Sequence, residues 1–184
     1  DNNGIASFPA LADGIYDFAI IHDEYVPTTE KFEVFGESIF FYKYSVPKKV
    51  DYKCIKIILD WGKTPKDLDA HLIKENSYHI SFRDKRKSDD KTVWLDKDDM
   101  DSFGPETITI TELDTNSTYK YFVFNWTNRN DSNSLSLSKS GAKVRIYADN
   151  KFLQTFKISS QKQGIKWDVF NIEQGKFIPV NEIE

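Results

Sequence analysis

Carboxylates crowd two short stretches of this chain. The first is Asp67-Leu68-Asp69-Ala70-His71, reached through Trp61-Gly62-Lys63-Thr64-Pro65-Lys66. The second is Asp96-Lys97-Asp98-Asp99-Met100-Asp101, which runs through Ser102-Phe103-Gly104-Pro105 to Glu106. Like charges this close raise one another's energy unless a cation, a hydrogen-bond donor or water relieves them. Calcium suits such a sequence, because it takes roughly six to eight oxygens from carboxylates and backbone carbonyls. The candidate ligands are Asp96, Asp98, Asp99 and Asp101, with Asp67, Asp69 or Glu106 lending oxygens from across the site. The ligand spacing of an EF-hand and its closing Glu are missing. The same acids are equally suited to tying loops, since Asp side chains mimic backbone turns and accept N–H bonds. On that reading Asp67 caps the turn after Pro65, and Glu106 receives backbone donors at a strand start.

A strand through Asp67–Ile73 puts Asp67, Asp69 and His71 on one face and sends Leu68, Ala70 and Leu72 into the core. A turn at Glu75-Asn76-Ser77 then brings His79 back beside His71. Together with Asp69 the two histidines make a zinc set, three protein ligands plus a water, which is the pattern of a hydrolytic site. No His-Glu-x-x-His signature accompanies it. Two of the acids could also serve as the acid and base of a glycosidase, though spacing does not select a pair. Cys54 has no activating neighbour in Tyr52-Lys53-Cys54-Ile55 and reads as an inert thiol. A Gly-x-Ser-x-Gly elbow and a Gly-rich phosphate loop are both missing. Trp61, Trp94 and Trp167 are expected in the core. Trp126, beside a polar loop, is expected at the surface, where it can stack on a sugar ring.

The elements that must position these groups are strands. Of 184 residues, 39% are hydrophobic and 15% aromatic, enough for a proper core. Alternation marks strands at Ile15–Ile21, Lys31–Phe35, Ser38–Tyr44, Tyr52–Asp60, Tyr78–Phe82, Val93–Leu95, Thr107–Thr111, Thr118–Trp126, Ala142–Ala148, Phe152–Ile158 and Lys166–Ile172. Asp149-Asn150 reads as the tip of a tight hairpin. The polar segment from Asn128 to Ser140 reads as a mobile loop. Convincing amphipathic helical spacing is missing, so the fold class is all-β: an antiparallel β-sandwich preceded by a small or partial β-sandwich module. Val46-Pro47-Lys48-Lys49 reads as the linker between residues 1–47 and 50–184.

Acidic residues outnumber basic ones, 29 to 25, for a net charge of −4. That argues against a nucleic-acid partner, which needs clustered Lys and Arg. The one basic run, Arg83-Asp84-Lys85-Arg86-Lys87, is broken by acids and reads as a solvated loop. One cysteine rules out an internal disulfide. No apolar run is long enough to span a membrane, so no membrane insertion is expected of this segment. The chain opens Asp1-Asn2-Asn3-Gly4 without Met and reads as a mature product or an excised piece. Asn116, Asn125 and Asn130 stand in N-glycosylation patterns, which arise readily in an Asn-rich chain.

Two stretches resemble known families. Phe8-Pro9-Ala10-Leu11-Ala12-Asp13-Gly14-Ile15-Tyr16, followed by Tyr25-Val26-Pro27, is similar to the second half of a carboxypeptidase-regulatory-like repeat, a transthyretin-like β-sandwich. Leu59-Asp60-Trp61-Gly62 ahead of Pro65-x-Asp67-Leu68-Asp69-x-His71-Leu72 resembles the bacterial YfaP-like domain. The likeness continues through Leu95-Asp96-x-Asp98-Asp99, Phe103-Gly104-Pro105-Glu106-Thr107-Ile108, Tyr119-x-Tyr121-x-Val123, Ser138-x-Ser140-x-Ala142, Trp167-x-Val169-Phe170 and Ile178-Pro179-Val180-Asn181. These resemblances imply an exported, multi-module β protein, located outside the cell, at its surface or in a periplasm. The functional expectation is a non-catalytic module binding a protein or glycan partner, with Trp126, His71 and His79 at the ligand and calcium as a stabilising ion. A metal-dependent hydrolase and a ligand-free structural spacer are the alternatives.

Overall fold

The structure, a computed structural model, describes residues 10–21, 28–36, 38–39, 52–86, 92–159 and 161–184. Every named element among them is a β-strand, and every pairing is antiparallel. No helix among them is long and apolar enough to cross a membrane. The chain divides into two compact units, residues 1–49 and 50–184. In the first, β1 (Gly14–Ile20), β2 (Thr28–Phe35) and β3 (Ser38–Ile39) form a three-stranded sheet in that order. Phe32 and Val34 are buried there, and the Phe32 ring stacks on Tyr16. The rest of the strand expected through Tyr44, the Tyr25-Val26-Pro27 break and the linker at Val46–Lys49 lie outside the described residues.

The second unit packs two five-stranded sheets face to face. One has the order β11 (Lys151–Lys157), β10 (Lys143–Ala148), β4 (Ile55–Asp60), β8 (Glu106–Ile110), β7 (Val93–Leu95). The other runs β13 (Lys176–Ile183), β12 (Lys166–Glu173), β9 (Tyr119–Phe124), β5 (Asp69–Lys74), β6 (Tyr78–Ile80). Alternation sends Ile55, Ile57 and Leu59 of β4 inward to meet Tyr119, Tyr121 and Val123 of β9 in one core. Each such buried Ile or Leu contributes about 1.5–3 kcal/mol. Phe156 of β11 stacks on Phe170 of β12 with ring centres 5.1 Å apart, joining the two sheets. The registers of β12 with both neighbours shift between Asp168 and Phe170. The bulge lets Trp167, Val169 and Phe170 all be buried, where strict alternation would turn one of them out.

Sequence and structure part company at three places. β13 carries Pro179 and exposed Ile178 and Val180, so it lacks the apolar alternation that marks a strand. It is an edge strand, where a missing N–H is tolerated. The segment 128–140, expected to be mobile, is folded into the sandwich. Leu137 is fully buried, Ser140 accepts a backbone bond from Gly62 at 2.9 Å, and Ser134 accepts one from Gly164 at 3.1 Å. Trp94 is half-buried on the edge strand β7, with Arg86 over its ring, and not in the core.

Candidate functional site

Two connections at one end of the sandwich clasp each other. The segment 61–68 leaves β4 for β5, and the segment 96–105 leaves β7 for β8. Trp61, buried, donates its Nε1 proton to the Pro65 carbonyl at 3.1 Å, which folds the first segment. Ser102 and Phe103 donate backbone bonds to the carbonyls of Lys66 and Gly62, at 2.9 and 3.2 Å. Making that clasp puts Ser102, Phe103 and Gly104 at φ of 79°, 68° and 71°. Two consecutive non-glycine residues in that region are sterically disfavoured and persist because the surrounding bonds fix them.

The clasp gathers carboxylates. Oxygens of Asp69 on β5, Asp98 in the second connection and Glu106 on β8 lie within 4.8 Å of one another. Two oxygens on opposite sides of a calcium ion, each at 2.3–2.6 Å, are about 4.6–5.2 Å apart, so the spacing suits that ion. Glu106 is fully buried and accepts backbone bonds from Ala70 (2.7 Å) and Asp99 (3.1 Å). It therefore does tie the loop, as its place at a strand start suggested, and faces the other acids as well. Asp69 is 3% exposed, and its Oδ2 is buried with no hydrogen-bond partner. Asp67 lies just before β5 and not on its face, and its buried Oδ1 is also unpartnered, so that oxygen caps no turn.

Burial and mutual repulsion set the electrostatics. Burial first, then Asp69 and Asp98, push the Glu106 carboxyl up to about 9, although the two backbone donors pull it down. Burial and the charges of Asp67 and Asp98 push Asp69 up to about 7, against the pull of Arg83. Asp67 is raised by burial and Asp98, with Lys66 and Arg129 opposing. Without a metal ion, then, Asp69 and Glu106 hold their protons more tightly than free carboxyls do.

The other expected ligands are turned to different partners. Asp96 accepts from Trp94 Nε1 and from Thr109 Oγ1 (2.8 Å), outside the cluster. Asp99 pairs with Lys97 at 2.6 Å and caps the Asp101 N–H at 3.0 Å, which holds its carboxyl below the usual range. Asp101 is exposed, and its carboxylate lies 3.9 Å from the Lys66 ammonium. His71 and His79 do come together, across β5 and β6. Nδ1 of His71 and Nε2 of His79 are 2.8 Å apart, so each ring spends one nitrogen on the other. Burial, the charge of His79 and that of Arg83 push His71 down to about 3. Neither histidine belongs to the carboxylate group.

Arg83, Lys85 and Arg129 were not recognised as site residues in the sequence. Lys85 pairs with Asp98 at 3.0 Å. Trp126 is half-buried, not a bare platform. The Arg129 guanidinium lies 4.6 Å from its ring centre and that of Arg83 5.7 Å, while Phe82 meets it edge-on at 5.0 Å. Thr127 joins this face to the acids, because its hydroxyl accepts the Asp67 N–H at 2.8 Å. The Asn125 amide, fully buried, is bonded to Asn128 and Ser136, so it is no glycosylation acceptor. In the sequence only Arg129, three residues after Trp126, stands close to a site residue, whereas Arg83 is brought there by the fold. Comparison with protein-family models, with curated proteins and with solved structures finds no match.

Proposed function

We propose that residues 50–184 form a non-catalytic binding module of an exported surface protein, stapled by one calcium ion at Asp69, Asp98 and Glu106. The observation that carries this reading is the buried Asp69 carboxyl, which has one oxygen without a partner and lies within 4.8 Å of carboxylates from two other segments. A buried charged oxygen left alone costs free energy, and a hard cation is the partner whose chemistry fits an all-oxygen set. Asp67, with its own unpartnered Oδ1, and water complete the shell. The YfaP-like and carboxypeptidase-regulatory-like motifs support the exported setting. The partner is a protein or a glycan met at a surface. Against a zinc hydrolase stands the placing of His71 and His79, which turn toward each other and do not join the carboxylates in one ligand group.

The test is thermal unfolding of metal-stripped protein, with and without millimolar calcium, magnesium or zinc. Calcium at 100 times its dissociation constant adds about 2.7 kcal/mol, a rise of about 8 °C for a domain of this size. Asp98→Ala abolishes the rise if the site is as described. Zinc-specific stabilisation lost in His71→Ala would sink the calcium reading in favour of the hydrolase.

A further inference from the structure

We infer that the face around Trp126 binds a carboxylate-bearing glycan, with Arg83 and Arg129 reading its charge. The inference deepens the binding-module reading and rests on it. Two guanidinium groups converge on one indole, Arg129 at 4.6 Å and Arg83 at 5.7 Å from its centre. Arg129 Nη1 also donates to the Trp126 carbonyl at 3.0 Å, and Arg83 lies 5.3 Å from the Phe82 ring. Among the described residues neither arginine forms an ion pair, in a chain where carboxylates outnumber cations. A stacked guanidinium keeps N–H donors on its edge, in the fork geometry that a carboxylate accepts. The ring contact of Arg129, with its bond to the Trp126 carbonyl, also holds a side chain that would otherwise lose rotamer freedom on binding, so less affinity is forfeited to ordering.

The surroundings choose a glycan over an acidic peptide. Trp126 follows β9, whose backbone is already bonded to β5 on one side and β12 on the other. β6, the edge strand that leads into Phe82 and Arg83, is only three residues long, too short a template for an added peptide strand, so recognition falls to side chains on a face. Exposed Asn130, Ser132 and Asn133 lie in the consecutive turns after Trp126 and offer amides and a hydroxyl to sugar hydroxyls. Beneath this face, His71 makes edge contacts with Phe82 and Phe124, and its buried Nε2 has no partner.

The test is titration calorimetry of the full chain with a hyaluronan-derived tetrasaccharide and with the same tetrasaccharide methyl-esterified at its glucuronates, calcium being held constant. The free acid is expected to bind at least tenfold more tightly than the ester. Arg129→Gln should lose at least tenfold for the acid and leave the ester unchanged, with Arg129→Lys in between. Because Arg129 is exposed, that variant keeps its fold, which its melting curve checks. Trp126→Ala should lose the acid too. Equal affinity for acid and ester, no effect of Arg129→Gln, no binding of either at millimolar concentration, or equal competition by polyglutamate would each overturn the inference. A calcium-dependent melting shift that persists when the sugar fails to bind locates the failure in the ligand and not in the module.

Discussion

Glu106 gives both carboxyl oxygens to backbone N–H groups and still faces two other acids. Its two roles separate by substitution. Glu106→Gln turns an amide N–H₂ toward one of two fixed donors, so one hydrogen bond is replaced by a donor–donor contact. The expected cost is about 1–3 kcal/mol with or without calcium, read from denaturant unfolding. Asp69→Asn acts in the opposite direction. It removes a charge that burial, Asp67 and Asp98 all disfavour, so the metal-free protein should melt no lower than the parent, while the calcium response disappears. A metal-free Asp69→Asn protein that melts well below the parent would mean that Asp69 is a structural tie. The pH dependence follows from the same residues. Raised acids bind protons more tightly folded than unfolded, so their stabilisation is whole at low pH. It is lost as pH rises through about 7 for Asp69 and about 9 for Glu106. His71, pushed down to about 3, works from the other side. Its contribution is complete above 6.5 and lost as pH falls toward 3. Metal-free protein should therefore melt highest in mild acid, and calcium should flatten the alkaline decline. Melting midpoints from about pH 3 to 9, in chelator and in calcium, check both limbs, and an alkaline decline equally steep in calcium would count against the site.

At the scale of elements, the clasp depends on a glycine. Gly104 has φ of 71°, and a Cβ there would meet a Trp61 ring carbon at 2.8 Å and the Leu59 carbonyl at 3.0 Å. Gly141 has a similar φ of 67° and open space around its Cβ position. Gly141→Ala should cost about 1–2 kcal/mol, the backbone penalty alone. Gly104→Ala should cost more, because the ring and the carbonyl cannot both retreat, and should weaken calcium binding as Asp98 shifts. Equal losses in the two variants would mean that the clasp gives way freely. Most of the strands that carry this clasp were legible in the sequence, because Ile55, Ile57 and Leu59, or Val144, Ile146 and Ala148, alternate cleanly. β13 was not, since an edge strand with Pro179 and outward Ile178 and Val180 owes its pairing to β12 and not to its own pattern. The segment 128–140 reads as a mobile loop for a related reason. Its serines and asparagines look solvated, yet Ser134, Ser138 and Ser140 are buried around Leu137. Of the acids, the sequence marked the right region but could not sort it. Asp96 and Asp98 are two residues apart, and only the register of β7 on β8 and the bend after it decide that Asp98 joins Asp69 and Glu106 while Asp96 turns to Thr109.

For the whole molecule, the question is what the residues after the first unit can do alone. Every residue of the large core cluster lies between Ile55 and Ile183, and so do Asp69, Asp98, Glu106 and Trp126. Both ends of this unit are tied into its own sheets. Asp149 accepts the Cys54 N–H at 3.0 Å and donates to the Cys54 carbonyl at 2.8 Å, while Glu184 exchanges backbone bonds with Lys166 at 2.8 Å. A core this size, with no unpaired terminal strand, meets the requirements for independent folding. Residues 50–184 produced alone should therefore unfold in one cooperative transition and keep the full calcium-induced rise. Calorimetry of that piece beside the whole chain is the measurement. A matching midpoint and calcium response assign the ion to the sandwich. A broad or calcium-insensitive transition in the piece would mean that residues 1–49 supply part of the site's stability, and the module would have to be redrawn to include them.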